Sequence, residues 1–276
     1  MLIPFLIMLR EGVEAALIVG IIASYLAQTG RAAAMKQVWI GVILAAALCI
    51  VVGVALDLAS MEMPQKIQEM FEAAVGLLAV VILTSMVFWM RRAAISIKAT
   101  LHASVDAAFA EGDHRSRALV AMAFFAVARE GLESVFFLLA AFQQDVGIEA
   151  PIGALLGVAA AVAIGVLIFR GGRKLDLRRF FRWTGIVILF VAAGLLAGVV
   201  RSLHEAGLWN GLQSMAFDLT ETLPADGVVG TLLSGFFGYR DAPTVGEVIA
   251  YMAFLVPALT FFLRDASAPR PVASVA

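Results

Sequence analysis

Two five-residue stretches hold the side chains best suited to chemistry: Arg10-Glu11-Gly12-Val13-Glu14 and Arg129-Glu130-Gly131-Leu132-Glu133. Each lies inside a long apolar run, where an ionised group at bilayer depth costs roughly 2.5–3.5 kcal/mol on insertion scales. Six such groups must therefore face one another or a wet cavity. On a helix, residues three and four apart share a face, which groups Glu11 with Glu14 and Glu130 with Glu133. The same spacing lets Arg10 pair with Glu14 and Arg129 with Glu133. Each cluster then keeps one net negative charge, so two facing clusters could be offset by a multivalent cation. Carboxylate oxygens suit hard cations, whereas zinc or copper(I) would favour His and Cys. Gly12 and Gly131 remove side chains within each motif, and we expect them to let the two motif helices cross closely.

The surrounding composition is that of a membrane protein. Hydrophobic residues make up 62% of the chain, charged residues 15%, and the mean hydropathy is +0.96. A water-soluble domain is nearer half apolar and a quarter charged. With about 20 apolar residues needed per crossing, seven stretches qualify, roughly 2–27, 37–58, 68–90, 117–142, 151–170, 180–201 and 243–263. The expected fold is all-α and integral to the membrane, with seven transmembrane helices in a single membrane domain, 1–276. The segment 202–242, with Leu208, Trp209, Leu212, Met215 and Phe217 at loosely helical spacing, reads as a periplasmic interfacial helix and loop. The opening residues MLIPFLIML read as a retained span. Cys49 is the single cysteine and reads as a small buried hydrophobe.

Of the 20 Lys and Arg, Arg10 and Arg129 lie within spans, and Lys66, Arg201 and Arg240 fall on one side. The rest, including the run Arg170 to Arg182 and Arg270 in the tail, fall on the other. This bias puts the N-terminus outside and the C-terminus in the cytoplasm. Acidic residues lean the opposite way: Asp57, Glu62, Glu69, Asp145, Glu205, Asp218, Glu221, Asp241 and Glu247 crowd the outer side, where they would concentrate cations. Glu69 and Glu72, three apart at the start of the third span, read as an outer capture site. His102 and His114 read as solvated loop residues, and His204 as an outer ligand or an interfacial residue. Trp89 and the other tryptophans read as belt residues, and the methionines as apolar filler.

The two charged motifs are separated by three spans, so they enter the membrane in opposite senses. Residues 1–91 and 117–201 are thus expected to form inverted three-helix repeats, with a seventh helix at 243–263 and the site near the midplane where the halves meet.

On these motifs the chain resembles the oxidase-dependent, Ftr-type high-affinity iron permease family. Members carry Arg-Glu-Gly-Leu-Glu in the first and fourth of seven spans. Details such as Phe71-Glu72 and Met86-Val87-Phe88-Trp89-Met90 are similar to its bacterial Efe-type branch. The resemblance implies a bacterial inner-membrane permease and not an enzyme. Its cargo would be iron, with no prosthetic group, handled by Glu11, Glu14, Glu130 and Glu133. It also implies a periplasmic cupredoxin-like iron-binding protein and a haem peroxidase as partners. All-carboxylate ligation leans toward ferric iron, with ferrous also open. Two alternatives stay in view. One is an integral membrane phosphatase acting on polyprenyl diphosphate, for which Ser134 would be a nucleophile, although Ala15 stands at the matching place in the first motif. The other is a carboxylate-based transporter of manganese or another divalent metal.

Overall fold

The computed structural model describes residues 2–61, 64–93, 97–110, 115–142, 149–171, 177–225 and 227–265. Glu62, His114, Asp145, Arg173 and Lys174 of the basic run, and the tail containing Arg270 lie outside the described residues. Among the described residues the chain is helical, with no strand beyond an isolated bridge between Met215 and Thr244. The helices are α1 (Leu2–Gln28), α2 (Met35–Met61), α3 (Gln65–Ala93), α4 (Ile97–Ala110), α5 (Arg115–Phe142), α6 (Glu149–Gly171), α7 (Leu177–Glu205), α8 (Val228–Phe237) and α9 (Val245–Asp265).

Five of these, α2, α3, α6, α7 and α9, are long and apolar enough to cross a membrane by length and composition. The motif helices α1 and α5 have 27 and 28 residues, or about 40 Å at 1.5 Å per residue. Each carries three charged residues within its apolar run, which sets it apart from the five. Three helices run past the stretches read from the sequence: α3 continues to Ala93, α5 starts at Arg115 and α7 continues to Glu205.

α1 lies along α6, α5 lies along α2, and α3 lies along α7, which also meets α9. Small residues set the first two pairings. On α2, Gly41, Ala45, Cys49 and Gly53 recur every fourth position; on α6, Gly153, Gly157, Ala161 and Gly165 do the same. This spacing lets backbones approach closely. A Cβ on Gly41 would come within 2.5 Å of the Val120 carbonyl of α5, and one on Gly157 within 2.5 Å of the Phe5 carbonyl of α1. The main core joins Ile7, Leu83, Met86, Phe137, Leu189 and Phe262 from α1, α3, α5, α7 and α9. A smaller core at the other end of α1 joins Ile22, Leu26, Val38, Val105 and Ala123.

Two connecting segments differ from expectation. Residues 97–110, expected as loop, form α4, because Val105 and Ala108 supply an apolar stripe that packs against α1 and α5. His102 is correspondingly no solvated loop residue; its ring stacks on Tyr25 at 4.0 Å. In 202–242 the helix is not at Leu208–Phe217. That stretch turns irregularly through Gly207 (φ 69°) and Leu212 (φ 58°), and the Asn210-Gly211 step is a turn signal that interrupts helical spacing. Its backbone pairs instead with the start of α9, through Val245 N–H to Ser214 O (2.9 Å) and Gly246 N–H to Leu212 O (3.0 Å). Leu208, Trp209, Leu212, Met215 and Phe217 remain exposed. The helix of this segment, α8, ends in a left-handed Gly238 (φ 64°) seated against Gly194 in the middle of α7. Tyr251 Oη donates to the Phe237 carbonyl at 2.5 Å and anchors that end to α9.

Candidate metal site between the charged motifs

Arg10, Glu11 and Glu14 project from one turn of α1 into the contact with α5. Arg10 is 2% exposed. Its guanidinium lies 3.3 Å from Glu14 Oε1 through Nε and 3.7 Å from Glu11 Oε1 through Nη1. Nη1 also donates to Met86 Sδ of α3 at 3.6 Å, a polarisable partner and not the inert filler expected of that methionine. From α5, Glu130 completes a trio. One carboxylate oxygen each of Glu11, Glu14 and Glu130 lies within 4.8 Å of the others. Among the described residues this is the single group of three such ligands that meets that distance.

The hydrogen bonding of the trio fits a cation. Both oxygens of Glu11 and Oε1 of Glu14 are buried and accept no hydrogen bond from the described residues, because the arginine contacts are ion pairs without directed geometry. Buried carboxylate oxygens in native proteins normally have donors or metal ligation to offset their desolvation. Three carboxylates against one guanidinium leave a formal charge of minus two in their ionised state. Softer donors such as His and Cys are absent from the trio, so the set favours a hard or intermediate divalent or trivalent ion.

Glu133, expected with the others, is turned aside. Its Oε1 accepts from Arg129 Nε at 3.2 Å. The two motif arginines thus differ: Arg129 has a side chain 55% exposed and lies over the ring of Trp89 at 4.9 Å from the centroid. Trp89, read from sequence as a belt residue, therefore has a second contact that helical spacing alone does not reveal.

The motif glycines do admit close helix approach, but to different partners from those expected. A Cβ on Gly12 would lie 2.6 Å from Ala161 Cβ of α6, and one on Gly131 would lie 2.5 Å from Cys49 Sγ of α2. Neither faces the other motif. Cys49 is buried, and its thiol lies 3.9 Å from the Ala128 carbonyl. Ser134, the nucleophile of the phosphatase alternative, donates to the carbonyl of Glu130 one turn back at 2.9 Å.

Glu69 and Glu72 stand apart from the trio at the start of α3, facing Arg201 and Glu205 of α7. Gln68 donates to Glu72 at 3.1 Å, and Arg201 Nε pairs with Glu205 Oε1 at 2.7 Å. Glu205 is a member of this cluster that spacing along α3 could not predict. His204 engages the Gly211 carbonyl through Nε2 at 3.0 Å, which ties the irregular segment to α7. Nearby, Arg240 lies 3.9 Å from the buried Glu247, and partial burial lowers the affinity of its guanidinium for the proton.

Comparison with known proteins gives a consistent set of relatives. The iron permease FTR1 family matches residues 1–265. A ferrous iron permease EfeU of Yersinia pestis is 57% identical over 262 residues, covering 95% of this chain and 93% of that protein. The ferrous iron permeases EfeU of Escherichia coli O157:H7 and Shigella sonnei are likewise 57% identical over 262 residues, covering 95% of both chains in each case. No solved structure matches the chain.

Proposed function

The chain belongs to the iron permease FTR1 family, and on that footing we propose that it moves ferrous iron across the bacterial inner membrane into the cytoplasm, with Glu11, Glu14 and Glu130 as the central ligands. The observation that carries this reading is the convergence of three carboxylate oxygens within 4.8 Å from helices α1 and α5. Ferrous iron is preferred over the ferric ion suggested by ligand hardness for two reasons. The trio and Arg10 have a formal charge of minus two, and the relatives at 57% identity are named ferrous iron permeases. Family membership puts the chain among permeases rather than enzymes. Ser134, engaged with its own helix, gives the phosphatase alternative no support.

The topology we adopt has seven spans, α1, α2, α3, α5, α6, α7 and α9, with the N-terminus outside and the basic connections in the cytoplasm. Two inverted repeats, α1–α3 and α5–α7, are supported by the pairing of helices. Exchanging the halves turns the α1–α6 pair into the α5–α2 pair and leaves α3–α7 and α1–α5 unchanged. Gly12 on Ala161 and Gly131 on Cys49 follow the same exchange. In this scheme Glu69 and Glu72, with Glu205, gather iron at the outer mouth, and Glu133 receives it after the trio. The periplasmic cupredoxin-like protein and haem peroxidase implied by the resemblance would act at that outer mouth. Inward movement of a cation is favoured by about 2.3 kcal/mol per charge per 100 mV.

The test is uptake of radiolabelled Fe²⁺ into proteoliposomes held at an inside-negative potential. Glu14→Gln and Glu130→Gln should abolish uptake, and Glu72→Gln should slow it only at low iron. Wild-type rates in both Glu14→Gln and Glu130→Gln would remove the basis for a carboxylate path. Competition by excess Mn²⁺ reports on the manganese alternative, and ascorbate-free Fe³⁺ reports on the oxidation state.

A further inference from the structure

The two motifs are alike in sequence but unlike in setting, and α3 meets the arginine of each. Met86 meets Arg10, and Trp89, three residues on, meets Arg129. Three residues advance a helix by about 4.5 Å, so Trp89 stands nearly one turn closer to the end of α3 at which Arg91 and Arg92 follow in the sequence. Arg10 is enclosed, whereas the side chain of Arg129 is 55% exposed and Trp89 is 48% exposed. A guanidinium on a membrane helix does not face hydrocarbon, so this exposed side is a wet one. Glu133, with a side chain 16% exposed, forms the step between the closed trio and that opening.

For a cation to move from the trio onto Glu133, Arg129 must leave the carboxylate it now holds at 3.2 Å. A departing guanidinium needs somewhere favourable to rest. The face of an indole is the strongest aromatic acceptor for it, effective within about 6 Å of the centroid, and Trp89 already lies at 4.9 Å. We propose that Trp89 is a positioning residue for release: its ring holds the Arg129 guanidinium when Glu133 exchanges that partner for the cation. The inference rests on the iron-path reading above and adds a direction to it. The trio of Glu11, Glu14 and Glu130, beside an arginine that donates to Met86, holds the ion, and Glu133 of the second motif lets it go.

The experiment compares Trp89→Ala, Trp89→Leu and Trp89→Tyr in the full chain, measuring initial Fe²⁺ uptake against Fe²⁺ concentration in proteoliposomes. Equilibrium binding of Fe²⁺ to the same proteins in detergent is measured alongside. Removing a cation–π contact corresponds to about a three- to thirtyfold change. Trp89→Ala and Trp89→Leu should lose that much maximal rate, with half-saturation and equilibrium binding within about twofold of wild type. Trp89→Tyr, which keeps an aromatic face, should recover most of the rate. Leucine restores apolar bulk without a π face, so a rate for Trp89→Leu equal to that of Trp89→Tyr would overturn the proposal, as would loss of equilibrium binding in either. Should Trp89→Ala fail to fold, the leucine and tyrosine pair carries the comparison alone. Glu14→Gln, run in parallel, separates the two levels. If it binds and transports normally, the iron path itself is wrong; if it is dead while Trp89→Leu is normal, only the release step is wrong.

Discussion

The motif glycines give a prediction whose sign runs against the bare distances. At Gly131 an added Cβ would meet Cys49 Sγ at 2.5 Å, slightly closer than the 2.6 Å between a Cβ on Gly12 and Ala161 Cβ. The opposing atoms differ in kind, however. Ala161 Cβ is fixed to its backbone, so reaching the usual 3.5–4.0 Å carbon contact requires α1 and α6 to separate by about 1 Å. Overpacking of this sort costs about 1–3 kcal/mol. The sulfur of Cys49 can turn about χ1, and its own Cβ lies 3.4 Å from the new atom; an off-rotamer side chain costs about 0.5–1.5 kcal/mol. Alanine in place of glycine in a helix returns roughly 0.5–1 kcal/mol in either case. Gly131→Ala should therefore be near neutral, and Gly12→Ala destabilising by about 1–2 kcal/mol. Because Gly12 lies between Glu11 and Glu14, the same displacement should lower Fe²⁺ affinity in the Gly12 variant alone. Cys49 is the chain's one cysteine and is buried, so thermal unfolding in detergent can be followed by its reaction with a thiol-specific dye. Ala161→Gly removes the opposing atom and should restore the Gly12→Ala protein. Equal melting of the two alanine variants, or no recovery on adding Ala161→Gly, would refute the reasoning.

Two further predictions concern the remaining charges. Arg10→Gln leaves three buried carboxylates without their cation, a loss of about 3–5 kcal/mol for breaking a buried pair; its melting temperature should fall, and millimolar Mn²⁺ should raise it more than in the wild type. Asp106 accepts from Tyr25 at 2.6 Å and Arg31 at 3.0 Å, and these partners, Tyr25 first, hold its carboxyl below the ordinary aspartate value. The α4–α1 contact should therefore be intact above about pH 4, and lost only as pH falls through the depressed value. Asp106→Asn should loosen it at neutral pH, measured as faster amide exchange in α4.

Much of the site was legible because charge in an apolar run admits few explanations. The pairing of Arg10 with Glu14 and of Arg129 with Glu133 follows from four-residue spacing and is found at 3.3 Å and 3.2 Å. The different fates of the two arginines were not legible, since they depend on which face of α3 each motif meets, and Met86 and Trp89 carry no charge signal. The small-residue spacing on α2 and α6 is visible in the sequence, but no spacing says which helix it receives. The partners of Gly12 and Gly131, Ala161 and Cys49, are therefore not legible in the motifs themselves. α4 is hard to read from sequence because it is 14 residues long and follows a basic stretch that reads as a cytoplasmic connection. Leu208–Phe217 has the apolar content of a helix, while Gly207 and Gly211 break it, so the helix of this segment forms later, at Val228–Phe237.

The helices that bear the motifs fall outside the apolar set for the same reason that makes them useful. Three charged residues within one run cannot be turned toward hydrocarbon, so α1 and α5 need neighbours that shield them and still let their backbones come close. α2 and α6 meet both needs. Their small-residue faces carry Cys49 against Gly131 and Ala161 against Gly12, while Ile43, Val51, Leu155 and Leu167 stay exposed on their other sides. Exposed apolar side chains on such helices are what lipid requires, and small residues on the inner face are what close packing without a hydrophobic driving force requires. Shielding therefore makes no demand on the large side chains of α1 and α5, which leaves their inner faces to Glu11, Glu14 and Glu130. Placing three carboxylates within 4.8 Å of one another in an apolar surround is unfavourable for folding on its own. Arg10 offsets part of that repulsion, and what remains is the attraction available to a divalent ion.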